Sequence, residues 1–186
     1  CVISAYLLLL TLAAWRFRPE TEKPADLPTI VVLVPAHNDA AHIETTIAAV
    51  LRCDYPAERR PLIVLADNCL DQTARLARAA GATVVERNDP DQRGKGQALD
   101  WFFREQQQLY AAQDVVAIVD ADTIPDRAFL QELAGSFARP DVMAVQGFYG
   151  VSNPRDSWRT LLSAAALAVF NHVPPAGQAQ PGTSVS

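Results

Sequence analysis

Short apolar runs that alternate with helical patterns constrain this chain more than any other feature of its sequence. Apolar segments predict four strands, at residues 30–34, 62–66, 83–85 and 115–119, and residues 142–147 are a fifth candidate. An unbroken apolar run is typical of a strand that is buried on both faces. Strands that alternate with helices predict an α/β fold, a mostly parallel sheet with helices on both faces.

The segments between these strands carry the spacing and end signals of helices. Asp71 is predicted to cap a helix over residues 72–80, and Gly81 to end it. Pro125 is expected in the first turn of the last helix. The apolar positions that indicate core-facing helices are Ile43, Ile47, Val50, Leu51, Leu99, Phe102, Phe103, Phe129, Leu130, Leu133 and Phe137, and Trp101 is expected to pack with them.

Polar residues directly follow three of the predicted strands, at residues 35–39, at Asp67-Asn68 and at residues 120–122. In a parallel sheet the carboxyl ends of the strands share one edge, where ligands bind. Asp120 and Asp122 are two residues apart, so on an extended chain their carboxylates face the same way. Such a pair suits a hard divalent cation that holds a diphosphate. The alternative is one helix-capping aspartate and one solvated aspartate.

The type of nucleotide site is narrowed by comparison with two glycine-rich motifs. The residues after the first strand, Pro35 to Asp39, contain no glycine, so they do not match the dinucleotide motif G-x-G-x-x-G. The segment around Gly94-Lys95-Gly96 does not match the P-loop. This leaves a nucleotide held by side chains, with Asp67 accepting from a base or ribose and Lys95 reaching a phosphate. Taken singly, Lys95 is more often solvated and Asp67 more often a turn residue.

Composition limits the class of partner. The net charge of −5 argues against nucleic acid, which binds basic surfaces. Cys1, Cys53 and Cys69 have no metal-binding spacing, which favours a reducing compartment. His37 and His42 are five apart, so they do not share a helical face and are interpreted as structural or loop residues.

The amino-terminal residues 1–18 are predicted to form an apolar helix. Residues 1–15 carry no charge, and Arg16 and Arg18 follow them, which favours a membrane helix ending on the cytoplasmic side. A bilayer span takes about 20 apolar residues, so the run is short unless residues precede it. A buried core helix and a signal peptide are the alternatives. Residues 19–28 are predicted to form a linker. Residues 159–173 are predicted to form a helix that lies either on a membrane surface or against the domain.

Four motifs, taken together, resemble those of the family 2 nucleotide-sugar glycosyltransferases, inverting enzymes of the GT-A fold, especially the membrane-attached branches. Residues 34–38 read V-P-A-H-N, and residues 66–73 read A-D-N-C-L-D-Q-T. Residues 93–99 read R-G-K-G-Q-A-L, and residues 120–122 form D-x-D. The resemblance covers roughly residues 30–150.

This resemblance implies that the donor is a nucleoside diphosphate sugar, a UDP-sugar in the first place. It also implies that Mn²⁺ or Mg²⁺ is the cofactor and that the acceptor is a glycan or a lipid. It implies that Asp122 binds the metal with Asp120 beside it, and that Lys95 lies near the diphosphate. The nucleotide-binding residues that it implies are Pro35, Ala36, Asn38, Asp67, Asn68, Lys95 and Asp120. Residues 29–150 would be the nucleotide-sugar-binding half, and residues 151–186 the start of an acceptor-side region.

The chain also departs from the family pattern. Cys69 and Leu70 stand where small hydroxyl residues are usual. The family's E-D motif, which contains the catalytic base, and its Q-x-x-R-W motif do not occur before Ser186. The chain begins at Cys1 and closes on a Pro- and Gly-rich stretch, so we interpret it as a fragment that binds donor weakly and transfers no sugar.

Three other functions share part of this pattern. A nucleotidyltransferase has a similar α/β layout, but usually a glycine-rich basic loop after its first strand. A haloacid-dehalogenase-type phosphatase has D-x-D on its first strand, whereas Asp120 follows the fourth. A non-catalytic, membrane-attached module of the same fold is the third alternative. Trp158 is a weak candidate for contact with an acceptor.

Overall fold

The computed structural model describes residues 26–139, 142–147 and 150–151. The chain divides into two compact units, residues 22–142 and residues 1–21 with 143–186. The helices and strands of the described residues all lie in the first unit, and the described residues of the second belong to no helix or strand. The predicted helices at 1–18 and 159–173, and most of the predicted linker, lie outside the described residues. Within the described ranges, no helix has both the length and the apolar character that a bilayer crossing requires.

Four strands and four α-helices alternate along the first unit. The strands are β1 (Ile30–Ala36), β2 (Leu62–Asp67), β3 (Thr83–Arg87) and β4 (Val115–Ile118). The helices are α1 (Ile43–Leu51), α2 (Thr73–Ala79), α3 (Lys95–Glu105) and α4 (Phe129–Phe137), and short 3-10 turns occupy Ala57–Arg59 and Gln107–Leu109.

All strand pairs of the sheet are parallel, in the order β3-β2-β1-β4. The predicted parallel α/β sheet is therefore confirmed. Every residue of β1 and of β2 is buried, which explains their unbroken apolar sequences. Val31 and Leu33 pack with Phe102 of α3 in one core cluster, and Trp101 packs against that cluster as predicted. The alternate residues of β1 are equally buried, so both faces of the sheet are covered.

The prediction that β4 is a buried strand is wrong in part. β4 ends at Ile118, and that residue is 45% exposed. Among the described strands β4 pairs with β1 alone, so it is an edge strand of this sheet. An edge position leaves part of an apolar strand uncovered, although its sequence resembles that of a central strand.

Two other predictions about the carboxyl half are wrong. Residues 142–147 form no strand, because the four strands of the described sheet pair only with one another. An apolar segment becomes a strand only where a neighbour completes its hydrogen-bond ladder. Pro125 lies in the loop before α4, which begins at Phe129 after the Asp126 carboxylate accepts the Ala128 N–H at 2.9 Å.

The end of α2 follows its sequence signals. Gly81 adopts φ +95° directly after the helix. Its N–H donates to the Arg78 carbonyl at 3.1 Å, and the Ala82 N–H donates to the Ala77 carbonyl at 3.1 Å. These two bonds form a Schellman motif, for which glycine is favoured because its φ is positive.

Candidate functional site

Residues from four loops line one open pocket of about 520 Å³ at the carboxyl edge of the sheet. The loops follow β1, β2 and β4, and the fourth is the segment that enters α3. The lining residues are Pro35, Ala36, His37, Asp39, Asp67, Arg93, Gly94, Lys95, Ala98, Asp120, Ala121 and Asp122. The structure therefore brings Asp67, Lys95 and both aspartates of D-x-D to one cavity, as the parallel topology predicts.

The loops after β1 and β2 are joined by hydrogen bonds. The Leu70 N–H donates to the Asn38 side-chain carbonyl at 2.8 Å. The Asp39 N–H donates to the Thr73 hydroxyl at 2.8 Å. The Ala40 N–H donates to the Asp71 carboxylate at 3.0 Å. These bonds fix the two loops against each other, so the walls of the pocket that they supply are set by one network.

Asp71 lies one residue before Gln72, the N-cap of α2, so it is not the N-cap that was predicted, although it does bond to the first helical residue. Its carboxylate accepts the Thr73 N–H at 3.0 Å where α2 begins, and the Thr73 hydroxyl as well. Desolvation acts to raise the pKa of Asp71, but these bonds and the Ala40 N–H outweigh it and lower that pKa.

Asn38 and Asn68, two predicted nucleotide-binding residues, do not line the pocket. Both adopt positive φ, at 58° and 49°, in tight turns after their strands. The Asn68 amide donates to Asp67 Oδ1 at 3.0 Å, and its carbonyl accepts the Asp89 N–H at 2.8 Å. Their side chains hydrogen-bond to the loops, and neither residue is among those that line the cavity.

Cys69 replaces the usual hydroxyl with a thiol that bridges two strand ends. Its Sγ lies 3.5 Å from the Ala36 carbonyl, and the Asn38 N–H donates to the same sulfur at 3.5 Å. Burial raises the pKa of the thiol, and the negative charges of Asp71 and Asp39 add to that effect. Cys69 is therefore a neutral hydrogen-bonding group at neutral pH.

His37 is a lining residue that the sequence did not single out for the site. Its Nδ1 donates to the Asp67 carbonyl at 2.7 Å, and the Asn38 amide donates to its Nε2 at 3.3 Å. A carbonyl can only accept, so the ring is the tautomer with the proton on Nδ1. His37 has a structural contact, as predicted, but it also forms part of the pocket surface.

Asp67 is 5% exposed and forms an ion pair with Arg87, also 5% exposed, at 2.7 Å. Sequence reasoning missed Arg87. The feature that could have identified Arg87 is the parallel register of β2 and β3, which places Arg87 beside Asp67 at the carboxyl ends of the two strands. A buried charge is retained only where an opposite charge accompanies it, so Arg87 is the residue that permits a carboxylate at this position.

Lys95 and Asp120 form an ion pair at the mouth of the pocket, where both side chains are about half exposed. Gly94, at φ +108°, turns the chain into α3, so Lys95 becomes the first helical residue. The positive end of α3 and the Lys95 ammonium therefore lie at the same side of the cavity.

The D-x-D segment is a turn, so the condition of an extended chain, under which the two carboxylates would face the same way, is not met there. The Thr123 N–H donates to the Asp120 carbonyl at 3.0 Å. The buried Thr46 hydroxyl of α1 donates to the Ala121 carbonyl at 2.7 Å and holds the turn in place. Both aspartates still line the pocket, and the Asp122 carboxylate has no hydrogen-bond partner within the described ranges.

The metal-binding capacity of this arrangement is that of two carboxylates. The described part of the chain contains no group of three or more His, Cys, Asp or Glu side chains placed to hold an ion. Mg²⁺-type sites that use one or two carboxylates take their remaining ligands from water and substrate phosphates. The pair therefore fits a cation that arrives with a diphosphate better than a cation held by protein alone.

Comparisons with known proteins show which proteins this chain is similar to. Probable glycosyltransferase YdaM of Bacillus subtilis is 30% identical over 112 residues, 57% of this chain and 26% of that protein. Cellulose synthase 1 catalytic subunit (UDP-forming) of Komagataeibacter xylinus is 30% identical over 114 residues, 61% of this chain and 14% of that protein. The chain thus spans about a quarter or less of these curated relatives.

A solved structure shares the fold. The mannosyltransferase PcManGT of Pyrobaculum calidifontis, determined in complex with GDP-Man and Mn²⁺, matches with a TM-score of 0.56 at 24% identity, covering 89% of this chain and 50% of that one. The model of glycosyltransferase-like family 2 matches residues 28–179. This chain therefore belongs to glycosyltransferase-like family 2.

Proposed function

We propose that this chain carries the donor-binding half of a metal-dependent, inverting glycosyltransferase that uses a nucleoside diphosphate sugar, with UDP as the nucleotide. The observation that carries the proposal is the single pocket that contains Asp67, Lys95, Asp120 and Asp122. The family match favours sugar transfer over nucleotidyl transfer, and the printed name of the cellulose synthase relative, UDP-forming, supports the choice of nucleotide.

The nucleoside and the diphosphate have separate places in this proposal. Asp67, at the end of β2, accepts hydrogen bonds from the base or ribose, with Pro35 and Ala36 forming the adjoining wall. Lys95 donates to the diphosphate at the amino-terminal end of α3, where the helix dipole also favours an anion. In the absence of donor Lys95 pairs with Asp120, so binding of the diphosphate exchanges one anionic partner of the ammonium for another.

Asp120 and Asp122 would hold a divalent cation, Mn²⁺ or Mg²⁺, when the diphosphate is bound. Asp122 is exposed, and its carboxylate forms no hydrogen bond or ion pair with another described residue. Its oxygens can therefore bind a ligand without breaking a contact. Asp120 becomes available when Lys95 turns to the diphosphate. When bound, such an ion neutralises negative charge on the departing nucleoside diphosphate.

Inverting transfer also needs a base that removes the proton of the acceptor hydroxyl. The carboxylates of the pocket have other roles, since Asp67 pairs with Arg87 and Asp39 accepts the His37 N–H at 2.7 Å. None of these described carboxylates is therefore the proposed base. Because the sequence contains no E-D motif, we propose that the base comes from residues outside this chain, and that the chain alone binds donor weakly and transfers no sugar. Its acceptor, a glycan or a lipid, would meet an acceptor-side region that includes residues 151–186.

We also propose that residues 1–18 attach the protein to a membrane, with residues 29–150 on the cytoplasmic side. The support is the uncharged run up to Trp15 with Arg16 and Arg18 after it. Expression of the chain with and without residues 1–18, followed by carbonate extraction of membranes, tests this. We expect the 186-residue chain to stay in the membrane fraction and the chain without residues 1–18 to be released. Equal release of the two chains would contradict the proposal.

A competition experiment tests the proposed function. UDP, a UDP-sugar, GDP and UTP are titrated calorimetrically into the 186-residue chain with Mn²⁺. We expect UDP and the UDP-sugar to bind competitively and more tightly than GDP. A preference for the triphosphate would favour a nucleotidyltransferase, and binding of no nucleotide by the folded chain would favour a non-catalytic module.

A further inference from the structure

Arg87 connects three parts of the site from a buried position. Its side chain, 3% exposed, donates from Nη1 to Asp67 Oδ1 at 2.7 Å and to the Gln92 carbonyl at 2.8 Å. Its Nη2 donates to Asp89 at 3.2 Å. The guanidinium carbon lies 6.0 Å from the ring centre of Trp101 on α3. One planar group thus joins the end of β2 to the loop that leads from β3 to Lys95.

The two oxygens of Asp67 have different surroundings. Oδ1 accepts from both Arg87 and the Asn68 amide. Oδ2 has no hydrogen-bond partner among the described residues. Among these residues, the only fully buried side-chain nitrogen or oxygen without a partner is Nε of Arg87, so Oδ2 is not fully buried and is accessible to solvent. Since Asp67 lines the pocket, Oδ2 is the oxygen that a ligand reaches.

We propose that Arg87 is a positioning residue for the nucleobase: by holding Asp67 through Oδ1, it presents Oδ2 to the pocket as a fixed, negatively charged acceptor. The inference rests on the proposed nucleotide site. An ionised carboxylate can only accept, so it pairs with a base that has a ring N–H at its hydrogen-bonding edge. Uracil offers such a donor, whereas cytosine has an acceptor nitrogen at the same position.

Arg87 is therefore expected to determine selectivity between pyrimidines, and not only the strength of binding. Without the guanidinium, Asp67 has no cation to hold its charge or its orientation. The favourable contact with uracil is then lost and the repulsion of cytosine is relaxed. A site that depends on one charged acceptor discriminates strongly, because a mismatched partner leaves buried polar groups unpaired.

A double-mutant cycle tests this role. UDP and CDP are titrated with Mn²⁺ into the 186-residue wild type, Arg87→Met, Asp67→Asn and the double variant. Arg104→Met is the matched control, because Arg104 forms an exposed pair with Asp100 on α3 and does not line the pocket. We expect Arg87→Met and Asp67→Asn each to weaken UDP binding at least about tenfold, while CDP binding does not weaken and tightens where the repulsion of cytosine is relaxed.

The double variant should bind UDP as Asp67→Asn does, because Arg87 acts through Asp67. This comparison remains decisive if Arg87→Met alone does not fold, since Asp67→Asn removes the unpaired charge. A further loss of UDP affinity in the double variant, equal losses of UDP and CDP, or unchanged UDP binding by folded Arg87→Met would overturn the inference. A wild type that binds no UDP would instead overturn the proposed function itself, and the inference with it.

Discussion

At the scale of single residues, the charge of Asp67 requires the charge of Arg87. Both side chains are almost completely buried, so removal of the cation leaves a carboxylate without its partner. Breaking a buried pair in this way typically costs about 3–5 kcal/mol. We predict a loss of this size in the free energy of unfolding for Arg87→Met, measured by urea denaturation.

The exposed pair supplies the control for that measurement. Arg104→Met removes an i,i+4 partner of Asp100 at the surface and should change stability by about 0.5 kcal/mol or less. Asp67→Asn with Arg87→Met should recover part of the loss. Equal effects of Arg87→Met and Arg104→Met would show that the buried pair does not have the energetic role described.

The Cys69 thiol provides a pH-dependent prediction. Burial, with the charges of Asp71 and Asp39, raises its pKa, so the reactive thiolate is less populated at any given pH than in an unfolded chain. Iodoacetamide labelling of Cys69 in the native chain should therefore rise only above the pH at which the urea-unfolded chain reacts. Peptide mass spectrometry separates Cys69 from Cys53. Coincident pH profiles for native and unfolded chains would contradict the assignment.

The sequence predicts those residues whose chemistry does not depend on an exact neighbour. Lys95, Asp120 and Asp122 could be placed in the pocket because strand-end loops of a parallel sheet share one edge. Arg87 could not, since its role depends on the register between β2 and β3 and on a turn that returns Gln92 to it. Asn38 and Asn68 were expected at the nucleotide because their motifs resemble those of the family, and the structure shows that their side chains also hydrogen-bond to the loops themselves.

At the scale of elements, the glycines at the start of α3 have opposite requirements. Gly94 has φ +108°, a conformation that side chains rarely adopt, so Gly94→Ala should destabilise the chain by about 1 kcal/mol or more. Gly96 lies inside α3, and a Cβ there would meet nothing within 4 Å. Gly96→Ala should therefore stabilise by about 0.5–1 kcal/mol. Thermal unfolding measures both, and changes of the same sign would be inconsistent with the described backbone.

The contact between α1 and the D-x-D turn gives a second prediction at this scale. Thr46→Val removes the buried hydroxyl that donates to the Ala121 carbonyl at 2.7 Å. The unpaired carbonyl should cost about 1–3 kcal/mol and loosen the turn that carries Asp120 and Asp122, so UDP binding with Mn²⁺ should weaken as well.

Thr45→Val is the control, because Thr45 is the exposed neighbour on the same helix. It should leave both unfolding and UDP binding close to the wild type. If Thr46→Val lowers stability but leaves metal-dependent UDP binding unchanged, the contact with α1 does not position the turn.

Elements were predictable where burial is symmetrical. β1 and β2 are central strands, and their apolar runs match the burial that such runs predict. β4 has the same kind of apolar sequence, but within the described sheet it has a neighbouring strand on one side only. Its sequence does not indicate this edge position. Residues 142–147 show the same difference more fully, since apolar character without a pairing partner produced no strand.

At the scale of the whole molecule, the parallel topology explains why residues far apart in sequence share a site. Asp67 and Asp122 are separated by more than fifty positions, and the order β3-β2-β1-β4 brings the loops that carry them to one cavity. The order of the motifs allowed this gathering to be predicted. The turn at D-x-D and the Lys95–Asp120 pair were not predictable, because they depend on the local path of the backbone.

The most direct test of the account is the effect of Mn²⁺ on UDP affinity in the wild type, Asp122→Asn and Asp100→Asn, by calorimetry with Mn²⁺ or with EDTA. The Asp122 carboxylate forms no hydrogen bond or ion pair with other described residues, so Asp122→Asn should fold normally. Asp100→Asn is the control, because Asp100 is an exposed carboxylate that does not line the pocket. We predict that Mn²⁺ tightens UDP binding by about tenfold or more in the wild type and in Asp100→Asn, and has little effect in Asp122→Asn. UDP binding that is independent of Mn²⁺, or equally Mn²⁺-dependent in Asp122→Asn, would contradict the proposed site.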